Sequence, residues 1–172
     1  MASRAIQLIL FIAAVGFWTT EAGPAWAEGG DPAVLATAMK GATATLQGGL
    51  KASEREGTPI SAKFEIADGK LQLSVYTMKG NDFMEVVADP KTGAIAKAEK
   101  ITDADDLKAG AEQKAAMAKA TVSLLAAGDA AAKANTGFRA VSVYPQLQNG
   151  HPVAEVTLLQ GTTTKKVTEK LD

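Results

Sequence analysis

Phe83-Met-Glu-Val-Val-Ala-Asp-Pro-Lys-Thr-Gly-Ala-Ile-Ala-Lys-Ala-Glu-Lys-Ile101 decides the architecture of this chain. Phe83 to Ala88 and Ala94 to Ile101 are strand-like runs, and Asp89-Pro-Lys-Thr-Gly93 between them has the composition of a tight turn. An Asp side chain accepts bonds from backbone N–H groups within such a turn, Pro90 presets φ, and Gly93 supplies a positive φ on exit. These residues meet the needs of a hairpin and carry no chemistry of their own.

Upstream, Ile60, Ala62, Phe64 and Ile66 alternate with Ser61, Lys63 and Glu65, the pattern of a half-buried strand. Asp68-Gly69 is a two-residue hairpin signal, because both positions of a type I′ turn need φ > 0. Leu71, Leu73, Val75 and Thr77 continue the alternation, and Lys79-Gly80-Asn81-Asp82 turns the chain again. A helix precedes these strands. Asp31 is its N-cap, Pro32 its first residue, and Val34, Leu35, Met39, Leu46 and Leu50 follow a helical period to about residue 55. Gly41, Gly48 and Gly49 weaken it, and Gly57-Thr58-Pro59 stops it.

The second half repeats this order. Asp103-Ala-Asp-Asp106 opens a helix, where carboxylates complement the positive end of the dipole; the spacing lacks the Gly and terminal Glu of a calcium loop. Helical composition runs through about residue 134, with Met117, Val122, Leu124 and Leu125 as apolar content and Gly128-Asp129 as an expected interruption. Asn135-Thr136-Gly137 is a C-terminal stop. In the following strand, Val141, Val143 and Leu147 take one alternation and Phe138, Ala140 and Tyr144 the other, while Pro145 argues for a bulge or an edge position. Asn149-Gly150 turns the chain into Val153 to Leu159, and Lys165 to Leu171 forms a final exposed strand. At an offset of 81 residues Asn149-Gly150 falls on Asp68-Gly69, Val156 on Val75, Gly161 on Gly80 and Val167 on Val86. The expected fold is α+β: two helix–antiparallel-meander units, residues 28–101 and a truncated 102–172, with the helices packed on one face of an antiparallel sheet.

The first unit resembles a PepSY domain, whose helix and strands close on a strand, Asp-x-x-Thr-Gly, strand signature. Here the signature is Glu85-Val-Val-Ala-Asp89-Pro-Lys-Thr92-Gly93-Ala-Ile95. The resemblance covers roughly residues 33–101, and more weakly 110–171, where the chain ends before a second Asp-x-x-Thr-Gly turn. It implies a non-catalytic binding or inhibitory module, a modulator of peptidases, and carries over no fixed set of functional residues.

Arg4, the apolar run Ala5 to Trp18 and Ala25-Trp26-Ala27 have the order of a secretory signal peptide, with cleavage expected after Ala27 and export to a periplasm or beyond. The apolar run is shorter than the ~17–25 residues of a membrane helix, and no later run approaches that length. With no cysteine, the exported chain relies on its hydrophobic core. A formal charge of −1 favours neither nucleic acid nor an anionic membrane as partner.

Chemistry-bearing patterns are sparse. His151 is the only histidine, and it sits beside the Asn149-Gly150 turn without a nucleophile elbow or a P-loop, and one histidine with no cysteine argues against the three or four ligands of a zinc site. Met39, Met78, Met84 and Met117 are scattered without the clustering of a copper(I) site and read as core. Lys108, Lys114, Lys119 and Lys133 read as a solvated helix face. No catalytic, cofactor-binding or metal-binding residue is assigned. The expectation is an exported, non-catalytic module binding a protein or peptide partner, with peptidases the implied class, through the open sheet face or a strand edge. The alternative is a periplasmic accessory protein handling a small molecule or metal in a pocket between helices and sheet. N-terminal sequencing of the exported protein should begin at Glu28; finding Met1 or Ala2 would exclude the cleaved leader.

Overall fold

The computed structural model describes residues 31–172; the expected signal peptide and its cleavage site lie outside them. Four helices and seven strands follow in the order α1 (Pro32–Met39), α2 (Leu46–Ser53), β1 (Thr58–Ala67), β2 (Lys70–Lys79), β3 (Asp82–Ala88), β4 (Ile95–Lys100), α3 (Ala104–Met117), α4 (Leu124–Ala134), β5 (Arg139–Gln148), β6 (His151–Gln160) and β7 (Thr163–Lys170). The strands form one antiparallel sheet in the order β4-β3-β2-β1-β5-β6-β7. The class is α+β. The first-half meander therefore lies on one side of the β1–β5 seam and the second-half meander on the other.

Local chemistry sets the hairpins where the turn residues require them. Asp68 and Gly69 take φ of 50° and 72°, and Asn149 and Gly150 take 52° and 85°, the left-handed pairs of a type I′ turn. In the turn joining β3 to β4, Asp89 Oδ1 accepts from Lys91 N at 3.0 Å, Thr92 N at 2.7 Å and Thr92 Oγ1 at 2.9 Å. Those bonds hold the Asp89 carboxyl below the ordinary aspartate range. The carbonyls this turn exposes are also used: Ala44 N donates to Pro90 O at 3.0 Å, and the Thr43 hydroxyl donates to Lys91 O.

The first helical stretch is broken in two, not continuous to residue 55. Thr45 caps α2 by accepting from Gly48 N at 3.0 Å, and the intervening loop is held from a distance. Arg139 donates to Ala42 O at 3.1 Å and Ala44 O at 2.8 Å, with its guanidinium 5.5 Å from the Phe64 ring centroid. The second helical stretch also breaks elsewhere than expected. Its interruption is at residues 118–123, because Ser123 caps α4 and Leu171 O accepts from Thr121 N at 2.6 Å and Val122 N at 2.9 Å. Gly128 stays inside α4, buried against α2 with Gln47 near its Cα.

Two β-bulges redirect the alternation. Register shifts fall between Pro59 and Ser61 in β1 and between Ala140 and Ser142 in β5, 81 residues apart. Ile60 thus leaves the face of Ala62 and Phe64 and joins Phe83 and Ile101 in a second cluster. In β5, Ala140, Val141 and Val143 all end in the main core, so the simple alternation expected there does not hold. The seam repeats the offset, since Ala62 pairs with Val143 and Lys63 with Ser142. Pro145 lies beyond those paired residues, so its missing N–H removes no seam bond.

The main core joins Leu35 and Met39 of α1, Leu46 and Leu50 of α2 and Leu124, Ala127 and Ala131 of α4 to one sheet face, where Phe64, Leu73, Val75, Val86, Val143 and Val156 are nearly or fully buried. Not all helices share that face. Tyr76 and Phe83 point to the opposite side, and α3 lies over them with Gly110 directly on the Phe83 ring. An exposed apolar patch of Ile60, Phe83 and Ile101 would be costly in water, and α3 buries it with Ala109, Gly110, Gln113 and Ala116.

Two helical glycines give opposite expectations. A Cβ on Gly49 would lie 2.4 Å from Leu73 Cδ2 within the packed core, whereas one on Gly128 would meet only Gln47 Nε2 at 3.6 Å. Gly49→Ala should cost about 1–3 kcal/mol by overpacking, and Gly128→Ala should stabilise by up to about 1 kcal/mol through helix propensity, both read from urea denaturation midpoints.

Candidate functional site

The face carrying α3 divides into a covered end and an open one. α3 lies over the bulged start of β1 and the adjoining parts of β5 and β6, while beyond it β1, β2, β3, β5 and β6 carry polar side chains in register. Lys63 opposes Ser74 and Ser142, Glu65 opposes Gln72, Tyr76 opposes Glu85, and Tyr144 opposes Glu155. The odd-numbered members of β1 and even-numbered members of β2 reach this face because the alternation is phased by the buried residues opposite.

These side chains are linked. Lys63 Nζ is 2.7 Å from Glu65 Oε2, with only 12% and 21% of the two side chains exposed. Gln72 Nε2 donates to Glu65 Oε1 at 3.3 Å and to Ser74 Oγ at 2.8 Å, and Ser74 Oγ donates to Glu85 Oε1 at 3.1 Å. Across the seam the Tyr144 hydroxyl donates to Glu155 Oε1 at 2.7 Å, and Lys166 Nζ lies 2.8 Å from the same oxygen. The Lys63 ammonium is also 5.8 Å from the Tyr76 ring centroid. A continuous polar and aromatic surface results, with its side chains already held in place.

Its titration follows from that burial. Burial alone would raise the Glu65 carboxyl, but contacts with Lys63, Ser74 and Gln72 outweigh it and leave the group below its ordinary range. Burial, then the negative charges of Glu85, Glu65 and Asp106, pushes the Tyr76 phenol far above the usual tyrosine range. Burial and the bond to Glu155 do the same for Tyr144. Neither phenol ionises under ordinary conditions, so both act as neutral hydrogen-bonding rings. Ser61 Oγ and Gln113 Oε1, both buried, have no hydrogen-bond partner among the described residues.

A second concavity lies at the end of the sheet. Leu50 and Lys51 of α2 with its C-cap Glu54, Gly57 to Pro59, Met117, and Leu124 and Leu125 of α4 with its N-cap Ser123 line a groove of about 520 Å³. Its floor is apolar and its rim carries the Lys51–Glu54 pair at 2.6 Å.

The residues considered from sequence are dispersed. His151 is exposed, with Nδ1 2.8 Å from Asp172 Oδ2. Met39 is in the main core and Met84 packs against it, Met78 packs on the second cluster, and Met117 touches both. Asp103 Oδ1 accepts from Asp105 N at 2.9 Å and Asp106 N at 3.2 Å, as a helix cap. Lys119 Nζ donates to Gly150 O at 3.1 Å. Sequence reading missed the polar network and the lining of the groove. A signal for the first was present: Lys63, Glu65, Gln72, Ser74 and Glu85 all occupy alternation positions opposite core residues.

No family model matches the chain, and no curated protein matches it. Among solved structures, a candidate lipoprotein of Clostridium difficile 630 is similar at 14% identity, covering 72% of this chain and 81% of that one, with a TM-score of 0.39. Among the described residues no helix is long and apolar enough to cross a membrane.

Lys63→Met tests the network. It leaves the Glu65 carboxylate half-buried without its cation, which should cost about 1–3 kcal/mol at neutral pH. Because the native Glu65 pKa lies below 4.5, its stabilising contribution is present above that value and is lost as pH falls further. The stability gap between wild type and variant, measured by urea titration, should therefore narrow in acid.

Proposed function

We propose that this chain is an exported, non-catalytic binding module that engages a protein or peptide through the open part of its second sheet face. One observation carries the reading: a hydrogen-bonded array of Lys63, Glu65, Gln72, Ser74 and Glu85 on rigid strands, continued across the seam by Glu155 with the buried Tyr144 bonded to it. Side chains already fixed lose little rotamer entropy on binding. The two matching bulges and type I′ turns at one offset support reading the chain as a doubled helix–meander unit, the second copy truncated, of PepSY type. On that reading the partner is an envelope peptidase whose activity the module modulates, and the leader directs it to the periplasm.

The groove of about 520 Å³ favours a second reading, an accessory protein carrying a small molecule between helices and sheet. Immobilised protein is expected to retain a peptidase from envelope extracts of the producing cells. Thr157 pairs with Ser142 on this face, and Thr157→Arg, a long cation there, should abolish retention without shifting the thermal midpoint. Retention that survives Thr157→Arg but is lost in Leu125→Arg would move binding to the groove. Failure of the wild type to retain or inhibit any peptidase would remove the first reading.

A further inference from the structure

We propose that the β4 edge is a self-complementary surface that pairs with β4 of a second copy, joining two sheets about a two-fold axis through Ala98. Among the described residues β4 has a neighbour on one side only, and Ala96 to Lys100 are exposed. Ile101 N donates to Phe83 O at 2.9 Å, so in the regular ladder from Lys97 to Lys100 the N–H groups of Lys97 and Glu99 also face β3. Those of Ala98 and Lys100 face outward, unpaired.

Two-fold symmetry restricts the pairing. An outward residue must meet an outward residue, so within this ladder the axis can pass only through one of its four residues. Axes at Lys97, Glu99 or Lys100 set like charges directly opposite, which is unfavourable across strands. The axis at Ala98 alone sets Lys97 opposite Glu99 of the other copy, twice. There the two Ala98 residues exchange both backbone bonds, and the two Lys97–Glu99 pairs fall at the non-hydrogen-bonded positions, where side chains of an antiparallel pair come closest.

Lysines on a sheet edge usually oppose such pairing. On β4 they are balanced already: Lys97 Nζ lies 2.7 Å from Glu99 Oε2, and Lys100 Nζ 2.7 Å from Asp82 Oδ1. The other edge, β7, carries Lys165, Lys166 and Lys170 against Glu169, so two copies of it meet with like net charge. The occupant fitted to β4 is a second copy of this chain.

Sedimentation velocity of the exported protein from micromolar to near-millimolar concentration should show a reversible monomer–dimer equilibrium. Lys97→Glu places Glu opposite Glu99 at two sites and should weaken the dimer by about tenfold, and Lys97→Glu with Glu99→Lys should restore it. Ala98→Pro removes the outward N–H at the axis and should abolish dimers while leaving cooperative unfolding intact, since an edge strand tolerates Pro there. A monomer at every concentration, open-ended polymers, or a dimer indifferent to both changes would overturn the proposal.

Discussion

The β1–β5 seam is the constraint on which the rest of the structure depends. Only Ala62–Val143 and Lys63–Ser142 pair across it, between hairpins that are each paired along most of their length. Two residue pairs contribute few backbone bonds, so side-chain packing must hold the halves together. On one face α2 and α4 meet over the seam, burying Leu46, Leu50, Leu124 and Ala127 against Phe64 and Val143. Arg139 adds a directional tie, reaching from β5 to the Ala42 and Ala44 carbonyls while its guanidinium covers the Phe64 ring. The same short loop receives the β3–β4 turn, so three remote segments share one anchor.

What could be read from the residues followed local chemistry. Asp68-Gly69, Asn149-Gly150 and Asp89 to Gly93 each specify a turn through their own φ requirements and side-chain bonds, and all three hairpins form where those residues stand. The helix breaks were not local in the same sense. The loop at residues 40–45 is stabilised by Arg139 and Pro90, and that at 118–123 by Leu171, partners 46 or more residues away in every case. The bulges were hidden for a different reason: an Ile-Ser or Val-Ser step looks like ordinary alternation until the partner strand shows that one residue is extra. Ile60 and Phe83 in turn demand a cover on the second face, which is why α3 leaves the side taken by the other helices.

The polar face was partly legible and its organisation was not. Alternation placed Lys63, Glu65 and Glu85 opposite the core, but whether they stood free in water or bonded to one another depended on cross-strand register. The register brings Gln72, Ser74 and Glu85 into one chain of bonds, and the low exposure of Lys63 and Glu65 makes that chain structurally consequential. A pocket between helices and sheet was expected only in general terms, and the groove's lining could not be read, because its walls come from α2, β1, α3 and α4 together.

The shortness of the seam also orders events in time. Each hairpin closes a loop of a few residues, whereas joining β1 to β5 closes one of about 80, with a correspondingly larger entropy cost before any bond is gained. The meanders can therefore zip locally first, leaving both inner strands as open edges in the same chain. Until they meet, β5 of a neighbouring molecule offers β1 the same bonds as its own. Packing of α2 against α4 over the seam favours the intramolecular closure, which ties that small helical interface to folding fidelity as well as to stability.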